Sequence, residues 1–97
     1  MSMTPERLAD VMFNELQKNF KYYLRDGRYG VNYFFEGIRY CIKYSMDYKP
    51  FIRRLFINKS DFVVPLYDRI LNTTEWTLAP NVKQDIIDFL EKFVILK

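Results

Sequence analysis

The sequence predicts an all-α fold, a compact bundle of four to five helices forming a single domain over residues 1–97. Three observations point there. Apolar residues recur at three- and four-residue spacing along most of the chain, which is the period of an amphipathic helix and not the alternation of a strand. The composition is globular, 49% hydrophobic and 19% aromatic, with only three glycines and four prolines to interrupt regular structure. Ninety-seven residues leave room for one core, and nine Phe, eight Tyr and one Trp supply large buried areas that help it offset chain entropy.

The first helix is expected over about 5–24. Thr4 suits the N-cap, Pro5 the first helical position and Glu6 the first turn. Leu8, Val11, Met12, Leu16, Phe20 and Leu24 form its apolar stripe. Asp26-Gly27-Arg28-Tyr29-Gly30 stops it, because two glycines within four residues release the backbone for positive φ. Asp-Gly between apolar residues could also close a β-hairpin, but the helical period on both sides argues against that.

A second helix is expected over 31–48. Val31, Phe34, Phe35, Ile38, Cys41 and Ile42 form one stripe, with Tyr33, Tyr40, Tyr44 and Tyr48 beside it. Such a helix is apolar on most of its circumference and belongs at the centre of the bundle. Gly37 lies on its tyrosine side, where it permits close approach by a neighbouring helix or by a partner, at about 1 kcal/mol relative to alanine.

Pro50 disfavours helical backbone at Lys49, so the third helix is placed at 51–57, with Phe51, Ile52, Leu55 and Phe56 inward and Arg53 and Arg54 opposite. Pro65 places the fourth at 65–72, entered by a buried Phe62–Val64 segment and carrying Leu66, Tyr67, Ile70 and Leu71. The fifth is expected at 81–95. Asn81 and Gln84 have the spacing of a capping box, and Val82, Ile86, Phe89, Leu90 and Phe93 face inward.

The same residues exclude most chemistry. There is no histidine, hence neither the commonest general acid/base nor the commonest zinc ligand. Cys41 is the single cysteine, too few for a disulfide or a thiolate cage, and its apolar neighbours suit a buried thiol. No phosphate-binding glycine loop or nucleophile elbow is present. Asp85, Asp88 and Glu91 share one side of the last helix and read as a solvated face, since no second segment brings oxygen ligands to them. No catalytic residue, metal ligand or cofactor is therefore assigned, and the chain is expected not to be an enzyme. It has neither a signal-like N-terminus nor an apolar run of the roughly 18 residues that span a bilayer, so a soluble, cytoplasmic protein is expected.

Charge and tyrosine are unevenly distributed. Residues 18–59 hold seven of the eight tyrosines and ten of the fifteen Lys and Arg against three acids, about +7, whereas each flank carries −2. This asymmetry marks a basic, aromatic middle segment. Arg53 and Arg54 could form a patch for phosphates or an acidic protein, or could pair with the acidic first or last helix. Tyr40 and Tyr44 alternate with Arg39 and Lys43, an interleaving that suits base stacking or a protein interface. The expected partner-binding residues are Tyr33, Arg39, Tyr40, Lys43, Tyr44, Arg53 and Arg54.

Residues 40–71, with Tyr48-Lys49-Pro50-Phe51 and Arg54-Leu55-Phe56, resemble part of the helical ligand and dimerisation domain of TetR-type repressors. The DNA-reading helix-turn-helix of those repressors is missing, so the resemblance implies no function. The expected function is that of a small non-enzymatic adaptor or modulator whose basic, tyrosine-rich surface binds another protein bearing an acidic patch, with homodimerisation expected as well. Nucleic-acid binding by the same segment is the alternative. Phe, Tyr, Ile, Lys and Asn together make up 39 residues, a usage associated with AT-rich genomes, and a phage or viral protein acting on a host factor fits it.

Overall fold

In the computed structural model, which describes residues 3–19, 27–57, 63–72 and 80–92 (backbone alone for 27–29 and 64), five helices follow one another. They are α1 (Pro5–Lys18), α2 (Gly27–Lys43), α3 (Lys49–Ile57), α4 (Val63–Asn72) and α5 (Pro80–Leu90). No strand occurs among the described residues. The all-α bundle expected from the periodicity is what the chain forms. Its radius of gyration, 12.4 Å, matches the roughly 12.5 Å of a compact chain of this length.

The start of α1 follows its sequence. Thr4 is extended, its hydroxyl accepts the Arg7 amide at 3.1 Å, and Pro5 opens the helix. Such a cap contributes about 1 kcal/mol. Leu8, Ala9, Met12 and Leu16 are buried, while Val11 is half-buried. Phe20 and Leu24, assigned to the same stripe, lie outside the described residues.

Helix α2 begins earlier than the pattern suggests. Gly27 and Gly30 are helical, and no glycine among the described residues has positive φ, so this pair does not end in a left-handed turn or hairpin. The helix also ends earlier, at Lys43 instead of Tyr48. A non-glycine residue ends it: Ser45 takes φ 56°, the Met46 amide reaches back to the Cys41 carbonyl at 2.8 Å, and the Ser45 amide reaches Ile42 at 3.1 Å. This pair of bonds is a Schellman motif, built here on serine where glycine is usual. Val31, Phe34, Phe35, Ile38 and Cys41 are buried as expected. Ile42 is not. It falls in the last turn, just before the chain turns away, and is 45% exposed.

Because α2 stops at Lys43, Tyr48 leaves the tyrosine stripe and serves α3. Its carbonyl accepts the Ile52 amide at 3.0 Å, and the Asp47 carboxylate accepts the Lys49 amide at 3.0 Å. Helix α3 therefore starts at Lys49, two residues before the expected position, with Pro50 in the first turn. Pro65 is likewise the third residue of α4, not its start. First-turn amides have no intrahelical acceptor, so proline costs no hydrogen bond in either place. In α5 Pro80 is already helical, which puts Asn81 inside the helix instead of at its cap. Gln84 donates its side-chain amide to Asp88 at 2.8 Å.

The core is a cluster of rings. Phe34 stacks near Phe35, Phe51 and Phe56 with centroids 5.6, 6.0 and 6.3 Å away, and Tyr67 meets Phe56 edge-on at 6.1 Å. Helices α1 and α3 pack most extensively, α4 lies on α2, and α5 lies chiefly on α3. Gly37 sits where α1, α2 and α3 converge. A Cβ there would stand 2.5 Å from Phe51 Cζ and 2.6 Å from Met12 Sδ, so the absent side chain admits neighbouring helices of the same molecule.

Candidate protein-binding surface

The seven residues of the basic, aromatic middle segment sit on two elements, Tyr33, Arg39, Tyr40, Lys43 and Tyr44 on α2 and the turn after it, Arg53 and Arg54 on α3. Tyr33, Tyr40 and Tyr44 recur along one edge of α2, bordering its buried face. Tyr33 and Tyr40 are half-buried and pack against the core, whereas Tyr44 is 45% exposed. The Tyr40 and Tyr44 rings lie 4.8 Å apart, tilted by 51°. The Tyr40 hydroxyl accepts the Met3 amide at 3.1 Å, which brings the segment before α1 across the tyrosine edge. Met3 itself is 37% exposed. Lys43 Nζ sits 5.5 Å from the Tyr44 ring centroid, in cation–π range. Met3, Tyr40, Lys43 and Tyr44 thus make an aromatic ledge at the C-terminal end of α2. Met3 was not expected there; the chain's period contains no signal that the N-terminal segment would cross Tyr40.

The three arginines are engaged elsewhere. Arg39 forms an ion pair with Glu36 one turn back on α2. Arg53 and Arg54 are sequence neighbours on α3, and successive helical residues point about 100° apart. They diverge accordingly. Arg54 grips the Asp10 carboxylate of α1 through two nitrogens, at 3.0 and 3.4 Å. Arg53 lies over the Phe89 ring of α5, 5.5 Å from its centroid. Of the two readings open for this pair, the described contacts show internal pairing for Arg54.

Other titratable groups are also tied within the molecule. The Tyr48 hydroxyl donates to the Asp85 carboxylate, whose other oxygen lies 3.8 Å from Lys49 Nζ. Burial raises the Tyr48 pKa above the usual phenol value, and the Asp85 hydrogen bond and the charges of Asp85 and Asp47 add to this. Burial, with the Asp47 charge adding, pushes the Cys41 thiol up to about 11, so it stays protonated and poorly nucleophilic near neutrality. Among the described residues no group of three acidic, His or Cys side chains could hold a metal ion. Nor is any described helix long and apolar enough to cross a membrane.

The chain is similar to nothing that would assign it: no family model matches it, no curated protein matches it and no solved structure matches it.

Proposed function

We propose that this chain is a small non-enzymatic adaptor or modulator that binds another protein through the ledge of Tyr40, Lys43 and Tyr44, with Met3 at its edge. The observation that carries this reading is the exposed Tyr44 ring, braced by Tyr40 at 4.8 Å and topped by a lysine. A ring held in place loses little freedom on binding, which is why tyrosine anchors so many interfaces. Lys43 adds a positive charge, which suits an acidic patch on the partner and speeds encounter. Residue usage favours a phage or viral protein that captures a host factor.

Nucleic-acid binding is the less favoured reading. Arg39, Lys49 and Arg54 each have a carboxylate close by, and a carboxylate beside a cation repels phosphate. The test is affinity capture from the source cell by wild-type chain and by Tyr44→Ser and Lys43→Glu variants, run beside gel shifts on single- and double-stranded DNA and RNA at two salt concentrations. One partner protein retained by wild type and lost by both variants is the expected result. Undiminished capture by the variants, or a gel shift that falls steeply with salt, overturns the proposal.

A further inference from the structure

We infer that the solvent face of α2 is a seam on which a second copy of this chain packs antiparallel, with Glu36 of each copy meeting Lys43 of the other. The inference rests on the reading of Tyr40, Lys43 and Tyr44 as an interface, and names what occupies it when no other protein is bound. Asn32, Glu36, Lys43 and Tyr44 are exposed, and Tyr33, Arg39 and Tyr40 are half-buried. At 100° per residue these positions span roughly 140° of the helix, so one face of α2 is open to solvent from residue 32 to its C-terminal end. Tyr44 belongs to that face because its amide still bonds the Tyr40 carbonyl at 3.2 Å, which carries the helical path one residue past Lys43.

Charge decides what suits this face. Glu36 and Lys43 are two helical turns apart and so lie on one line, about 10.5 Å from each other. The Glu36 side chain is 71% exposed even while one of its carboxylate oxygens holds Arg39. A parallel copy would set Glu36 against Glu36 and Lys43 against Lys43. An antiparallel copy turns the line end for end, and both pairs become opposite in sign. The two-fold axis of that arrangement falls midway, between Arg39 and Tyr40. The contact is then isologous: Glu36 meets the partner's Lys43, and Lys43 meets the partner's Glu36. Arg39, beside the axis, keeps its charge matched by Glu36 of its own chain. The tyrosine edge obeys the same axis. Tyr40 comes beside its own copy, and the Tyr44 end of one edge runs beside the Tyr33 end of the other. Two exposed apolar groups gain cover there: Tyr44, and Met3, whose amide the Tyr40 hydroxyl holds across this edge. Aromatic anchors with a charged border are the usual make-up of a protein interface.

Sedimentation velocity on the full chain, at loading concentrations from roughly 1 μM to 1 mM, tests this. Wild type should pass from monomer to dimer within that range. Glu36→Lys and Lys43→Glu each turn two attractive pairs into two repulsive ones and should weaken the dimer by about tenfold or more. Combining Glu36→Lys with Lys43→Glu exchanges the two charges and should restore it. The double variant also separates this inference from the reading it rests on. It regains the dimer yet lacks the lysine offered to an acidic partner, so capture of that partner stays lost. A wild-type chain that is monomeric throughout, single variants that dimerise like wild type, or a double variant no better than the singles overturns the antiparallel seam. In the first of these cases, capture that is still lost on Tyr44→Ser leaves the earlier proposal standing, so the two fail separately.

Discussion

Replacing Gly37 with alanine sets two effects against each other, and the geometry decides between them. By helix propensity alone, alanine in mid-helix should stabilise α2 by about 1 kcal/mol. Packing opposes this. The new Cβ would lie 2.5 Å from Phe51 Cζ and 2.6 Å from Met12 Sδ, whereas carbon atoms normally rest roughly 3.5–4.0 Å apart. Met12 can move aside, because an unbranched thioether re-packs readily. Phe51 cannot do so easily: it is completely buried, and its ring stands 6.0 Å from that of Phe34. Overpacking of this kind costs about 1–3 kcal/mol, and an overlap of over 1 Å against a confined ring belongs near the upper end. The net expectation is a loss of about 2 kcal/mol, or on the order of 10 °C in Tm for a domain of this size. Equilibrium urea unfolding reads it directly as a lower midpoint at unchanged slope. Adding Phe51→Leu removes the obstructing Cζ, so the double variant should lose less than the sum of the single losses. A Gly37→Ala chain as stable as wild type, or more so, refutes the reasoning. It would mean that the space beside Gly37 is open in the free molecule.

Three further outcomes follow from the same structure. Ser45→Gly should raise stability by about 1 kcal/mol in thermal or urea unfolding, because serine bears the left-handed backbone penalty that glycine escapes; no gain would show that the motif is not held at φ 56°. Cys41 should resist a thiol reagent at pH 8 in the native chain and react only as denaturant opens the core, so rapid native labelling would contradict its burial. Tyr48 ionises less readily in the folded chain than in the unfolded one. Its contribution is thus complete below its ordinary pKa of about 10 and is lost as pH rises further, so Tyr48→Phe should flatten the decline of the unfolding midpoint between pH 9 and 11, and an unchanged decline would sink the assignment.

The candidate surface was only partly legible in the chain. The spacing of Tyr33, Tyr40 and Tyr44 does put them on one edge of α2, and the 4.8 Å approach of the last two follows from their i, i+4 relation. Arg53 and Arg54 are neighbours in sequence but point about 100° apart on α3, and nothing in their spacing shows that one would meet Asp10 and the other the Phe89 ring. The charge count recorded an excess in the middle segment and acids at both ends. It contained nothing about whether they would meet.

Sequence alone determined the helical class, because the apolar period is a property of consecutive residues and needs no partner to exist. It also determined the start of α1, since Thr4, Pro5 and the Arg7 amide are all within one turn. Tertiary structure decided what depends on distant residues. Gly37 serves the ring of Phe51 and not an outside partner, Arg54 finds Asp10 forty-four residues away, and Tyr48 leaves the tyrosine stripe to hold Asp85. Local preference works over a turn or two of chain, whereas the packing of rings and the pairing of charges are fixed only when separate helices are brought together.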